Sequence, residues 1–181
     1  VLGNGIAKLN SNGSVDTTFN TPSGSNSNVE EFAFQPDGKM LVGGNFTNYN
    51  NANVGYFIRL DQDGSLDEAF SAAAVVDNQV LGIAIQSDGK IVAAGYAYFG
   101  NDVDFAVSRY NTDGSLDLTF DGDGMVTTDI GDINDFCYSV AIQSDGKIVV
   151  TGNTANFTQV AVVRYNSDGS LDSTFDFDGI K

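Results

Sequence analysis

Short apolar runs alternate with clusters of Gly, Asp and Asn along the whole chain. β-Branched and aromatic residues fill 32–34, 40–42, 80–85, 91–94, 140–142 and 148–150. Each run has strand length and is bounded by turn residues, so each predicts a β-strand. No stretch carries a convincing helical period. Between the first two runs, Gln35-Pro36-Asp37-Gly38 places Pro second, Asp third and Gly last. That order predicts a type I turn closed by a glycine in the left-handed region, a three-residue hairpin loop with a bulge. Asp61-Gln62-Asp63-Gly64 makes the same turn between 56–60 and 65–70.

Both turns recur. One motif reads Asn12-Gly13-Ser14-Val15-Asp16, then Asp63-Gly64-Ser65-Leu66-Asp67, Asp113-Gly114-Ser115-Leu116-Asp117 and Asp168-Gly169-Ser170-Leu171-Asp172, each followed by Phe19, Phe70, Phe120 or Phe175. Its glycines are 51, 50 and 55 residues apart. The other motif, at 34–40, 85–91 and 142–148, alternates with the first. Each repeat therefore predicts four short antiparallel strands, a to d, the size of a propeller blade. The expected fold is an all-β β-propeller with 3.5 blades present. Residues 1–20 supply a half blade (strands c and d), full blades cover 28–70, 79–120 and 136–175, and 176–181 starts the next connector. A propeller closes or leaves strand edges exposed. Closure is thus expected to need the rest of a longer chain, with a second copy as the alternative.

The hairpin register places Leu60 opposite Leu66 and Arg59 opposite Asp67. The same spacing pairs Lys8 with Asp16, Arg109 with Asp117, and Arg164 with Asp172. Cross-strand ion pairs of this kind pin register and contribute roughly 0.2–1 kcal/mol each. Lys39, Lys90 and Lys147 each follow a turn glycine, so seven of the eight basic residues occupy repeat positions.

Composition narrows the function classes. The 181 residues include 24 acids and 8 bases, a formal net charge of −16. That charge repels nucleic acid and anionic membranes. With no His, Ser-His-Asp and Cys-His catalysis and most zinc and haem sites are excluded. Cys137 is the only cysteine, so no internal disulfide forms and a small core residue is expected. No apolar run approaches the ~20 residues that span a bilayer. The chain opens on Val1 with no leader pattern, which suggests a mature, trimmed or partial polypeptide.

The paired signatures, 35–46 and Asp63-Gly64-Ser65-Leu66-Asp67, resemble the delta-60 repeat, a bacterial β-propeller family of unknown function. Val126-Thr127-Thr128-Asp129 after Asp121-Gly122-Asp123-Gly124 is similar to that family's connector between blades. The resemblance covers nearly the whole chain. It implies a large secreted or surface-displayed bacterial protein, often exported through the type IX system. It brings no established catalytic residues.

Propeller geometry places the a–b and c–d turns on one rim, and the variable b–c loops and d–a connectors on the other. Variable loops on a rigid scaffold are where binding usually resides. Loops 45–55, 96–104 and 153–159 carry Phe46, Tyr49, Tyr96, Tyr98, Phe99 and Phe157 among Asn and Asp, which suits a glycan or protein partner. The alternative is that these rings pack within and between blades. The acidic connector, with Asp121, Asp123 and Asp129 beside Asp132 and Asp135, is a candidate structural Ca²⁺ site, although its glycine falls too early for an EF-hand. The Asp63-type turns are poor calcium loops, because Lys8, Arg59, Arg109 and Arg164 occupy the first ligand position.

Catalysis finds little support. Ten acids occupy repeated turn or pairing positions, Glu30, Glu31 and Glu68 are the only glutamates, and Gly-rich steps such as Gly43-Gly44 are expected at strand ends. The expected function is a non-catalytic binding or structural module of an extracellular or cell-surface bacterial protein, adhesin-like or a protein-interaction scaffold. A carbohydrate-binding or carbohydrate-active propeller and a calcium-stabilised extracellular domain are the alternatives.

Overall fold

Tight turns at the two glycine motifs fold the chain into antiparallel sheets. The computed structural model describes residues 5–73, 79–99, 102–131, 134–154 and 159–181. The first sheet contains β1 (Val29–Phe34) and β2 (Met40–Gly44). A small hairpin, β3 (Asn48–Tyr49) with β4 (Ala52–Asn53), then leads to β5 (Phe57–Leu60), giving the order β1-β2-β5. A short helix, α1 (Glu68–Ala73), follows. The second sheet has four strands in sequence order: β6 (Val80–Ile85), β7 (Ile91–Phe99), β8 (Asp102–Tyr110) and β9 (Met125–Thr128). The third holds β10 (Phe136–Ile142), β11 (Ile148–Thr154) and β12 (Gln159–Tyr165).

The turns have the geometry their residue order demands. Gln35 N donates to Lys39 O at 2.8 Å, Gly38 N donates to Gln35 O at 2.9 Å, and Gly38 sits at φ +85°. Asp37 Oδ1 accepts from Lys39 N at 3.0 Å and closes the loop from the side. The second turn has the expected register: Leu60 pairs with Leu66, and Asp67 N donates to Arg59 O at 2.9 Å.

The sheets stack face to face. Leu41 and Phe57 of the first sheet share a core with Val80, Ile91 and Tyr110 of the second. Val92, Phe105 and Val107 of the second share one with Ile148, Val150 and Val163 of the third. A strand between two such layers is apolar on both faces, so all five residues of β2 are buried. Each large side chain buried in this way contributes about 1.5–3 kcal/mol.

Two elements depart from the sequence-based expectation. The fourth strand of the second sheet is β9, which lies beyond Phe120, and 115–120 is not a strand. After the Tyr110–Leu116 bridge, Asp117 Oδ1 accepts from the Thr119 N–H and hydroxyl, and Asp117 O accepts from Phe120 N. This local turn ends the pairing. The helix α1 was not expected either. Asp67 caps it, its Oδ1 accepting from Phe70 N at 3.2 Å, and the segment is Ala-rich. The other repeats place Gly122 and Phe177 where α1 continues.

Phe32 and Phe34 on β1 are exposed. Their repeat equivalents, Ile83 with Ile85 and Val140 with Ile142, pack into the core shared with the preceding sheet.

Candidate functional site

The repeated motifs converge on one carboxylate per blade. Asp67 Oδ2 receives Lys39 Nζ at 2.6 Å and Arg59 Nη2 at 2.8 Å. Asp117 receives Lys90 at 2.7 Å and Arg109 Nε at 2.6 Å; Asp172 receives Lys147 at 3.0 Å and Arg164 Nε at 2.6 Å. The Arg–Asp half of each triad follows from hairpin register. The Lys half was missed, because it reaches across from the a–b turn, 25 or more residues away in sequence. Lys8 and Asp16 stand 3.4 Å apart, with the lysine side chain 50% exposed.

Each arginine also clamps the motif's phenylalanine, and Arg59 and Arg109 reach the next blade as well. The guanidinium carbons of Arg59, Arg109 and Arg164 lie 4.2, 4.8 and 4.6 Å from the ring centroids of Phe70, Phe120 and Phe175, in cation–π contact. Arg59 Nη1 donates to Thr112 O at 2.7 Å, and Arg109 Nη1 donates to Ser167 O. The phenylalanine in turn covers the next turn's glycine. A Cβ on Gly114 would meet the Phe70 carbonyl oxygen at 2.8 Å, and one on Gly64 would meet the Phe19 ring at 2.9 Å. Asp, Arg, Phe and Gly of the motif thus form a staple from one blade to the next.

These acids are tuned by structure. Partial burial would raise Asp67, but the Lys39 ammonium, the Phe70 N–H and Arg59 outweigh it and hold the carboxyl at about 2. Burial opposes ionisation of Asp117 as well, and Lys90, the Thr119 hydroxyl and N–H and Arg109 bring it well below the usual range. Asp172 is lowered first by the Thr174 hydroxyl, against burial, with Lys147 and Arg164 adding to the effect. The turn acids Asp63, Asp113 and Asp168 are lowered by the hydroxyl and N–H of the serine two residues on. For the three triads, the unfolded chain binds more protons than the folded chain below about pH 4. Their contribution to stability is complete above about pH 4 and disappears as pH falls through the folded values. The denaturant midpoint is therefore expected to drop steeply between about pH 4 and pH 2, and less steeply in Asp67→Asn. A midpoint flat across that interval would contradict the triads.

The opposite rim differs from blade to blade. Phe46 and Tyr49, expected on the ligand-facing rim, have no exposed surface. They pack with Met40, Val42, Ile58 and Leu60. Loop 45–55 folds back over its own sheet through the β3–β4 turn at Asn50 and Asn51, both at positive φ, and Tyr49 donates its hydroxyl to Gly64 O at 2.9 Å. Burial pushes the Tyr49 phenol up to about 12. Tyr96 is buried against Phe136, with ring centroids 5.0 Å apart. Tyr98 is 66% exposed and edge-on to Tyr96 at 6.1 Å. Segment 96–104 is for the most part the continuation of β7 and β8, not loop. The Phe99 side chain and Phe157 lie outside the described residues. A cavity of about 360 Å³ beside Tyr98 is walled by Val80, Tyr96, Ala106, Met125 and Thr127.

The acids of the connector separate. Asp123 Oδ1 accepts from Met125 N at 2.9 Å in a local turn, and Asp121 N donates to Asp168 O at 2.7 Å, another link between blades. Neither joins a carboxylate cluster among the described residues. Asp129 does, with Asp135 and with Asp104 of β8. Burial, then the Asp129, Asp102 and Asp135 carboxylates, raises Asp104 above its usual value. Sequence reasoning missed Asp104 because it sits 25 residues before Asp129 in an apolar strand. Cys137 is fully buried, and its thiol is pushed up to about 12 by burial, which leaves it inert.

A family model described as a β-propeller domain of unknown function (DUF5122) matches residues 1–19, 35–70, 86–120 and 143–175. No curated protein matches the chain.

Proposed function

Because the chain belongs to this β-propeller family of unknown function, we propose that it is a non-catalytic scaffold and binding module, presenting its non-repeating rim to a protein or glycan partner outside the cell. One observation carries the reading. The most regular charged groups in the chain are used internally: in three blades the same aspartate binds both a lysine and an arginine. An acid held ionised by two cations is unavailable as a general acid, and its cations are unavailable to a substrate. The exposed groups outside the repeats, Tyr98 above all, lie at the other rim. A glycan ligand is favoured there by the Tyr98 ring, which is open to stacking and supported from the side by Tyr96. The exposed Phe32–Phe34 face is a blade-to-blade surface by its repeat position; Ile6, Leu9 and Phe19 of the half blade border it, and the a–b strand pair that completes that blade, from a longer chain or a second copy, is its natural cover.

Glycan-array binding tests the rim. Tyr98→Ala is expected to lose binding at least ~10-fold while melting like the parent. Binding unaffected by that change, or turnover of a glycoside substrate by the chain, would overturn the reading.

A further inference from the structure

We infer that Asp104, Asp129 and Asp135 form a Ca²⁺ site that ties the second sheet to the third. Backbone pairing brings the three residues together. Asp104 lies one residue before Phe105, which pairs with Thr128 next to Asp129. Val103 bridges Asn134 in parallel, and Asp135 N donates to Val103 O at 2.6 Å. Two acids thus come from the second sheet and its trailing connector, and the third leads into β10. One oxygen of each lies within 4.8 Å of the others.

The second observation is Asp104 itself. It is 8% exposed, and its Oδ1 has no hydrogen-bond partner. A buried carboxylate with no donor is costly to keep charged, and here two more carboxylates face it. Asp135 is fully buried and fixed, accepting from Ile130 N at 2.8 Å and from the Thr154 hydroxyl. Asp129 accepts from Gly131 N at 2.6 Å and is exposed, leaving the site open to solvent on that side. No side chain supplies the missing charge. All eight Lys and Arg residues pair with other acids. A cation meets the need that the protein leaves unmet, and the chain's net charge of −16 concentrates cations around it.

The donors select the ion. They are all oxygens, and the chain contains no His. Ca²⁺ accepts about six to eight oxygens in flexible geometry, which suits three carboxylates from separate backbone segments with one side open to water, whereas Mg²⁺ demands a near-ideal octahedron and gives up its own waters reluctantly. The cluster is not part of the scaffold pattern. Asp104 is five residues before Arg109, and the equivalent positions are Val54 and Gln159; Asp135 is five before Val140, and its equivalents are Ser27 and Asn78.

Calorimetric titration of the chelator-treated full chain with CaCl₂, together with its melting temperature, tests the site. The expected result is one Ca²⁺ per chain and a rise of roughly 5–10 °C when calcium exceeds its Kd ~100-fold. Asp104→Asn and Asp129→Asn are each expected to weaken binding at least ~10-fold. Asp129 is exposed, so its variant keeps the test decisive if Asp104→Asn fails to fold. Absence of binding heat and of any melting shift at about 10 mM calcium, well above the Kd of extracellular modules, would overturn the site. So would full calcium affinity in Asp129→Asn, or an equal response to MgCl₂.

Discussion

Gly152→Ala is expected to destabilise the chain by about 3 kcal/mol, among the largest effects of any single methyl group here. A Cβ at this position would stand 1.9 Å from the Phe136 carbonyl oxygen and 2.8 Å from both Cys137 Cα and the tip of the Phe105 ring. The first two obstacles are backbone and cannot rotate away. Gly152 pairs with Cys137, where the register shifts before Ser139, so the bulged strand presses onto the facing one. The same geometry recurs at Gly44 and Gly95, where a Cβ would meet Asn28 O at 2.2 Å and Gln79 O at 2.0 Å. Gly146→Ala is the contrast. Gly146 has φ +84° but nothing within 4 Å of the new methyl, so only the backbone penalty of about 1 kcal/mol applies. Urea midpoints separate the two, and equal losses would show that the bulge contact is not tight.

Arg109→Ala is expected to cost about 3–5 kcal/mol. Arg109 and Asp117 are each 4% exposed. Beyond its 2.6 Å contact with Asp117, the guanidinium donates to Ser167 O in the next blade and to the Thr119 hydroxyl at 3.1 Å, and lies over Phe120. Truncation leaves a buried carboxylate with Lys90 as its remaining cation and removes a link between blades. Lys8→Ala serves as the control: its pair is longer and half exposed, and a loss below about 0.5 kcal/mol is expected. Melting curves of both variants decide the matter, and a small loss in Arg109→Ala would mean that the triads contribute little.

What the sequence revealed was local. Pro36-Asp37-Gly38 and Asp63-Gly64 dictate turns through backbone preferences, and turn length then sets the register that puts Arg59 beside Asp67. What it concealed was packing at a distance. Phe46 and Tyr49 look like rim aromatics in an Asn-rich loop, and only the fold of loop 45–55 over its own sheet buries them. Gly43-Gly44 ends β2 as expected, but the equivalent Gly95 and Gly152 fall inside β7 and β11, and all three positions face a bulge in the neighbouring strand that no local signal announces. The missing partner of Lys90 lies on Asp117, 27 residues away. Asp104, Asp129 and Asp135 have no common motif, because three separate backbone segments bring them together.

The claim that the repeated charges are structure and not chemistry is tested most directly by a double-mutant cycle on Arg109 and Asp117. Unfolding free energies are measured for the parent, Arg109→Met, Asp117→Asn and the double variant. The account predicts a coupling of at least about 1.5 kcal/mol, with the double variant losing much less than the two single losses combined. Losses that add within about 0.5 kcal/mol would contradict it and would leave these residues free for another role.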